Sequence, residues 1–206
     1  DMPLSVPNEV PLYIMSKELK KYITVVLSGE GADEIFSGYG RIFNSPEDYK
    51  KLKVIKFFPK KLRQKYFKEF LEKYKQAPKT QLQHFLQLYS YFPLKEKKFL
   101  FNKQMNKLIQ NDKHIKLHFQ KYFKRAKKQP YHKKIQYVFT KIHLPGLLLR
   151  VDTTTMATAV EARVPFLDHK LVEFAFNIPI KYKIKSKLPL TKTSTNEEYF
   201  TTKHIL

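Results

Sequence analysis

Three carboxylates and two glycines lie within seven residues, in the segment Ser28-Gly29-Glu30-Gly31-Ala32-Asp33-Glu34. Glycines let the backbone approach a ligand closely, and free backbone N–H groups at the start of a helix attract phosphate. Three carboxylates would repel a phosphate unless a cation intervened, so the segment indicates Mg²⁺ held between carboxylate and phosphate oxygens. Alternatively, one carboxylate accepts a proton. An ordinary strand-to-helix turn has similar spacing, and the spacing alone favours neither interpretation.

The residues around this segment predict a strand before it and a helix after it. Ile23 to Leu27 form a β-branched apolar run, which is typical of a buried parallel strand. Ala32 to Phe36 predict the first turns of a helix, whose start Asp33 and Glu34 would stabilise through the helix dipole. Because ligands of open parallel sheets bind beyond the carboxyl ends of the strands, the turn between these elements is the expected binding site. A short amphipathic helix is predicted before the strand.

The chain divides into three regions by composition. Residues 1–49 contain the strand, the turn and the helix start, residues 50–142 are basic and helical in pattern, and residues 143–206 form the remainder. In the last region we expect a helix capped by Asp168 and the beginning of another helix from Glu197. Breaks between the helices of the middle region are predicted at the prolines, namely Pro59, Pro78, Pro93 and Pro130.

All of the excess positive charge belongs to the middle region. The net charge is +22, and the segment from Lys50 to Lys134 holds 26 basic residues against four acidic ones. Only five of the 40 basic residues are Arg, the side chain best suited to bidentate recognition of phosphates and bases. Aromatic residues recur there at helical spacing, which favours a packed core over stacking on bases. A basic module that binds nucleic acid or another polyanion is the alternative function.

The composition also bears on the compartment. The chain has no cysteine, so disulfides and thiolate metal sites are excluded. No stretch approaches the roughly 18 apolar residues that would span a bilayer, and no signal peptide is visible. We therefore expect a cytoplasmic protein that does not enter the membrane.

Two long segments resemble signatures of the glutamine-hydrolysing asparagine synthetases. The first, Val25 to Tyr39, reads VVLSGEGADEIFSGY and is similar to the family pattern LSGEG(A/S)DE-hydrophobic-F-(G/S)-GY. The second begins with LPGLLLRVD at Leu144 and continues through Met156-Ala157 to VEARVPFLDH, which ends at His169. The two segments occur in the family's order, and each is hard to obtain by chance.

The resemblance implies a fold and a reaction. The fold would be α/β, mostly α in this chain, and part of an adenine-nucleotide-hydrolase-like (ATP pyrophosphatase) domain with a helical remainder. ATP and Mg²⁺ would be the cofactors, and ATP would adenylate the side-chain carboxylate of aspartate. Ammonia from glutamine, delivered by a glutaminase domain of the same parent chain, would displace AMP and give asparagine.

The resemblance also implies roles for particular residues. Glu30 would accept a proton from ammonium, and Arg150 would stabilise developing negative charge beside Asp152. For Arg150 and Asp152 a structural ion pair is the alternative left open. The implied positions are Glu30, Arg150 and Asp152 for catalysis, Ser28 and Gly29 for the nucleotide, Asp33 for the metal, and Tyr39, Val164 and Leu167 for the ammonia passage.

The sequence also departs from the family. It contains neither the SGG-x-DS pyrophosphate loop, nor the glutaminase domain, nor the downstream lysine motif, so we expect an internal piece that does not make asparagine alone. Thr153 replaces a basic residue common after Asp152, which leaves the acceptor open among aspartate, a sugar acid and another carboxylate. A non-catalytic scaffold is a further alternative. An exposed edge strand leaves association into homo-oligomers open as well.

Overall fold

The computed structural model of the chain describes residues 7–74, 78–186 and 200–204. These residues are mostly helical, and none of their helices has the length and apolar character needed to cross a membrane. The helices are α1 (Glu9–Leu19), α2 (Ala32–Phe36), α3 (Gly40–Phe43), α4 (Ser45–Ile55), α5 (Lys60–Tyr66), α6 (Lys68–Lys73), α7 (Gln81–Tyr89), α8 (Leu94–Leu100), α9 (Lys103–Ile109), α10 (Lys113–Arg125), α11 (Tyr131–Val138), α12 (Leu144–Met156), α13 (His169–Asn177) and α14 (Ile180–Lys183). The strands are β1 (Val25–Leu27), β2 (Glu161–Arg163), β3 (Lys185–Ser186) and β4 (Phe200–Thr201).

A small parallel sheet brings the two signature segments together. β1 is parallel, as predicted, and pairs with β2 in a register that sets Val25 opposite Glu161 and Leu27 opposite Arg163. The prediction of a buried strand is wrong for the described residues, because Val25 and Leu27 are exposed and β2 pairs with β1 along one edge only. Since parallel strands point the same way, the turn after Leu27 and the segment after Arg163 leave the sheet at the same edge.

Helix α12 carries the first half of the second signature. A single π-helical turn, Phe139–His143, joins α11 to α12, and such turns are frequent at functional sites. α1 packs along α12. The hydroxyl oxygen of Ser16, in α1, lies 2.6 Å from that of Thr158, which follows the end of α12. α12 also contacts β2, so the helix lies between α1 and the sheet.

The middle region folds around an aromatic core. Three of the predicted breaks are confirmed directly, because Pro59, Pro93 and Pro130 each precede the first residue of a helix. Phe85, which is fully buried, has its ring centroid 5.8 Å from that of Phe119 and 5.5 Å from that of Phe123. The buried rings of this region therefore form a core, as the helical spacing predicted.

The spacing of Leu62, Tyr66, Phe70 and Tyr74 predicts one apolar stripe on a helix, and this prediction is only partly correct. Leu62, Tyr66, Phe70 and Tyr74 recur at fours, but the chain divides into α5 and α6 at Phe67. Phe70 and Tyr74 are buried, whereas Leu62 and Tyr66 are exposed. The break rotates α6 relative to α5, so the two helices no longer share one apolar face.

The described C-terminal residues form a short hairpin-like arm. β3 and β4 pair antiparallel, with Lys185 opposite Thr201. The predicted helix from Glu197 is wrong for residues 200–204, which form β4 and a bend, and its other residues lie outside the described part of the chain. The cap prediction is confirmed, because Asp168 Oδ1 accepts hydrogen bonds from the backbone N–H groups of Lys170 and Leu171 at 3.0 and 3.2 Å.

Candidate active site

The turn after β1 is tight and open to ligands. The Ser28 N–H donates to the Arg163 carbonyl at 2.8 Å, and the Glu30 N–H donates to Ser28 Oγ at 3.3 Å. A Cβ built on Gly29 would meet no atom within 4 Å, so the backbone there is accessible. Gly31 has φ of +92°, a conformation that L side chains rarely adopt, and begins α2. The predicted strand, turn and helix start are therefore confirmed.

An ion pair joins the two signature segments across this edge. Arg150 Nη2 donates to Glu30 Oε1 at 2.9 Å, although the two residues are 120 positions apart in sequence. Both side chains are about one-fifth exposed. Arg150 Nε is buried and has no hydrogen-bond partner among the described residues, so within this part of the chain the guanidinium retains an unpaired donor.

Asp33 is paired with a residue of the C-terminal arm. Lys203 Nζ lies 2.7 Å from Asp33 Oδ1, and both side chains are somewhat more than one-third exposed. Asp33 Oδ1 also occupies the space that a Cβ on Gly38 would need, so the SGY part of the first signature makes room for the carboxylate. The sequence did not predict this pairing, because no local pattern links residues 33 and 203.

The buried Glu34 and the half-buried Tyr39 form a hydrogen-bonded pair behind the turn. The Tyr39 hydroxyl donates to Glu34 Oε1 at 2.7 Å. Burial raises the pKa of Glu34, and the hydrogen bond from Tyr39 opposes that rise. Burial and the adjacent Glu34 also raise the pKa of Tyr39. Tyr39 is therefore a hydrogen-bond donor at neutral pH, and its orientation is fixed by the carboxylate.

His143 is a site-adjacent residue that the sequence analysis missed. Its Nδ1 lies 3.1 Å from the Tyr89 hydroxyl, and its ring packs edge-on against Tyr39 with centroids 5.5 Å apart. Burial, followed by the positive charge of Arg150, lowers the pKa of His143. The π-helical turn that ends at His143 marks this residue in the structure. A sequence pattern does not show a π-turn, so the sequence analysis could not identify His143.

Two buried side chains hold the far end of α2. The Ile35 carbonyl accepts hydrogen bonds from Gln136 Nε2 at 2.8 Å and from Lys183 Nζ at 2.9 Å. Both donors are almost completely buried. Burial, reinforced by the positive charge of Lys133, lowers the pKa of Lys183 to about 7. These bonds anchor the helix that carries Asp33 to both α11 and α14.

The remaining predicted residues lie around this edge but do not all converge. Asp152 is exposed and makes no ion pair with Arg150, which pairs with Glu30 instead, so the alternative of an Arg150–Asp152 ion pair is wrong. Leu167 packs against Gly31 and joins a small cluster with Ile35 and Phe36. Tyr39 belongs to the larger aromatic core. That Tyr39, Val164 and Leu167 line one passage stays a prediction.

The geometry leaves room for an anionic ligand at this edge. The backbone at Gly29 offers open space, and the Arg150 guanidinium beside it carries positive charge and has a hydrogen-bond donor, Nε, without a partner among the described residues. The described residues contain no group of three or more His, Cys, Asp or Glu that would hold a metal unaided. Mg²⁺ commonly takes one or two carboxylates and completes its shell with phosphate oxygens and water, so Asp33 fits as a single protein ligand if the cation replaces Lys203.

Comparison with known proteins identifies the family. The chain matches the family described as asparagine synthase over residues 1–206. It belongs to the asparagine synthase family. Asparagine synthetase [glutamine-hydrolyzing] 1 of Bacillus subtilis (strain 168) is 32% identical over 195 residues, which cover 90% of this chain and 30% of that protein. A putative asparagine synthetase [glutamine-hydrolyzing] of Mycobacterium bovis is 30% identical over 205 residues, which cover 95% of this chain and 29% of that protein.

The similarity extends to a relative with another name. Amidase chyE of Penicillium rubens is 46% identical over 66 residues, which cover 31% of this chain and 10% of that protein. The chain thus spans about 30% of the length of the asparagine synthetases it matches. No solved structure matches the chain significantly.

Proposed function

We propose that the chain supplies part of the synthetase site of an ATP-dependent carbon–nitrogen ligase. In this reaction ATP adenylates a carboxylate, for which aspartate is the first candidate, and ammonia from glutamine converts the adenylate to the amide. AMP and pyrophosphate are released. The observation that carries the proposal is the contact of Glu30 with Arg150 at 2.9 Å, because it unites the two family signatures at the edge where a parallel sheet binds ligands.

Each polar group at the edge has a role in this proposal. The backbone at Ser28 and Gly29 contacts the nucleotide, and Asp33 holds Mg²⁺ together with phosphate oxygens. Magnesium supplies positive charge that neutralises the departing pyrophosphate. Arg150 stabilises negative charge on the reacting carboxyl group. Glu30, held in place by Arg150, accepts a proton as ammonia attacks.

Ammonia needs a source and a route to the site. A glutaminase domain of the same polypeptide would supply ammonia, and Tyr39, Val164 and Leu167 would line its route. Tyr39 supports this assignment, because its hydroxyl is fixed by Glu34 directly behind the acidic turn. The cytoplasm is the proposed compartment, because it holds ATP and glutamine.

The test is amide formation by the full-length polypeptide with ATP, Mg²⁺, L-aspartate and an ammonium salt, because Glu30 acts in the step in which ammonia attacks. Glu30→Gln is expected to reduce the rate of amide formation at least about 100-fold, the typical contribution of a general acid–base group. Glu161→Gln is the matched control. Like Glu30, Glu161 pairs with an arginine: its carboxylate lies 2.8 Å from Arg163 of the same strand, but this pair is exposed. Equal activity of the wild type and Glu30→Gln would remove the catalytic role from Glu30. Equal losses in the two variants would show that any disturbance of the sheet lowers activity.

A further inference from the structure

Two lysines without a carboxylate partner lie beneath α2, at the end opposite to the turn. Lys183, on α14, is 1% exposed, and its Nζ donates to the Ile35 carbonyl at 2.9 Å. Lys133 is on α11, and its Nζ is buried and has no hydrogen-bond partner. No salt bridge between described residues includes either ammonium group. Because an ammonium group carries three N–H donors, most donors of this pair are not used by the described part of the chain.

Gln136 connects the two lysines. It lies three residues after Lys133 on α11, so the two side chains are neighbours on one face of that helix. Its Nε2 donates to the Ile35 carbonyl at 2.8 Å, which is the same oxygen that Lys183 binds. Burial, followed by the positive charge of Lys133, lowers the pKa of Lys183, which agrees with this proximity. The two ammonium groups therefore belong to one cluster.

The charged groups around the two lysines do not neutralise them. Burial lowers the pKa of the half-buried His132, and the charges of three lysines lower it further, namely Lys133, Lys183 and Lys50. Glu47 opposes this effect, but its carboxylate lies 2.7 Å from Lys50 Nζ on α4 and is already paired. His132, Lys133 and Lys183, which we call the basic cluster, thus have no carboxylate paired with them among the described residues.

The basic cluster is costly in this form. Two ammonium groups that have lost water repel each other, and an unpaired buried charge is strongly unfavourable. A neutral Lys183 would relieve the repulsion, but it would leave Lys133 Nζ buried without an acceptor. An anion between the two groups removes both costs, because it neutralises the charge and accepts hydrogen bonds from both lysines.

We propose that the basic cluster binds a small inorganic anion, chloride or phosphate, between Lys133 Nζ and Lys183 Nζ. Because Lys183 is 1% exposed, an ion that reaches it must be small. The anion would keep Lys183 charged and so strengthen its bond to the Ile35 carbonyl, since charged donors form the stronger hydrogen bonds. It would thereby hold α2, which carries Asp33 near its other end. The cluster contains none of the residues of the proposed reaction, so the two can fail separately.

The test is the binding of chloride and of inorganic phosphate to the full-length polypeptide, followed in separate titrations through the NMR line width of each anion. The measurement is made at about pH 6, below the pKa of about 7 of Lys183. The wild type should show a saturable component with at least one anion. A chloride component that phosphate removes indicates one site for both, and a component with one anion alone identifies that ion. Lys133→Met should weaken this binding at least about 10-fold, the loss expected for one charged hydrogen bond.

Lys134→Met is the matched control, because it removes the same charge from the next residue of α11, whose Nζ binds Gln81 Oε1 at 2.9 Å instead. It should leave the saturable component unchanged. Lys183→Met is the second variant and should weaken binding as Lys133→Met does, so the test does not depend on the folding of one variant. The absence of a saturable component in the folded wild type overturns the inference. Equal weakening in Lys133→Met and Lys134→Met also overturns it, because the anions then respond only to the overall positive charge.

Discussion

Gly31 is the position at which the turn is most sensitive to a single methyl group. Its φ of +92° lies in the region that L residues avoid, and a Cβ there would lie only 2.6 Å from Leu167 Cγ. The backbone strain costs about 1–3 kcal/mol, and forcing a methyl group into a packed contact costs about 1–3 kcal/mol more. Alanine also restricts the unfolded chain, which offsets about 0.4–1 kcal/mol. Gly31→Ala should therefore lower the free energy of unfolding by about 1–5.6 kcal/mol.

Urea denaturation followed by circular dichroism measures this change. Gly146→Ala is the control, because Gly146 lies inside α12, has no unusual φ and would place its methyl group in open space. It should stabilise the chain by about 0.5–1 kcal/mol, the difference in helix propensity between the two residues. Leu167→Ala in the Gly31→Ala background removes the side chain that the new methyl group meets. It should recover the part of the unfolding free energy lost to that contact, whereas the part lost to backbone strain at residue 31 should remain. If Gly31→Ala unfolds within 0.5 kcal/mol (about the accuracy of the method) of the wild type, the turn does not have the described conformation.

Other substitutions test the surroundings of the site. Burial and the charge of Lys133 lower the pKa of Lys183 to about 7 from 10.5, so between these values the unfolded chain binds more protons than the folded one. The free energy of unfolding of the wild type should therefore rise by about 2–4 kcal/mol more between pH 7 and pH 10 than that of Lys183→Met. If urea denaturation shows the same dependence on pH for both proteins, Lys183 is not buried as an ammonium group. Asp168→Ala should cost about 1 kcal/mol by removing the cap of α13, and an unchanged midpoint in urea would show that the cap contributes nothing. Tyr39→Phe should raise the pKa of Glu34 further, because the hydroxyl that stabilises the carboxylate is lost, and carboxyl NMR shifts that titrate as in the wild type would exclude the bond.

Local patterns predicted the part of the fold that depends on neighbouring residues. The run from Ile23 to Leu27, the two glycines and the acidic start of α2 each restrict the backbone within a few residues, and the structure has the strand, turn and helix there. Asp168 capped its helix for the same reason, because a side-chain oxygen placed before a helix accepts the first free N–H groups.

Long-range pairings were not predictable in this way. β2 has three residues, of which Glu161 and Arg163 are charged and exposed, so nothing in its own sequence indicates a strand until β1 lies beside it. The contact between Lys203 and Asp33 joins residues 170 positions apart. Glu30 and Arg150 were both predicted as site residues from the family resemblance, but their pairing with each other emerged only from the fold.

The central claim is that a magnesium nucleotide binds at the turn after Leu27, and amide chemical shifts of the labelled chain test it directly. Titration with ATP and Mg²⁺ should shift the amide signals of residues 28–33 most strongly, and Asp33→Asn should weaken the magnesium dependence of those shifts. Shifts that are confined to the Lys-rich helices between residues 50 and 134, with the amides of the turn unchanged, would contradict the claim and favour a basic polyanion-binding module instead.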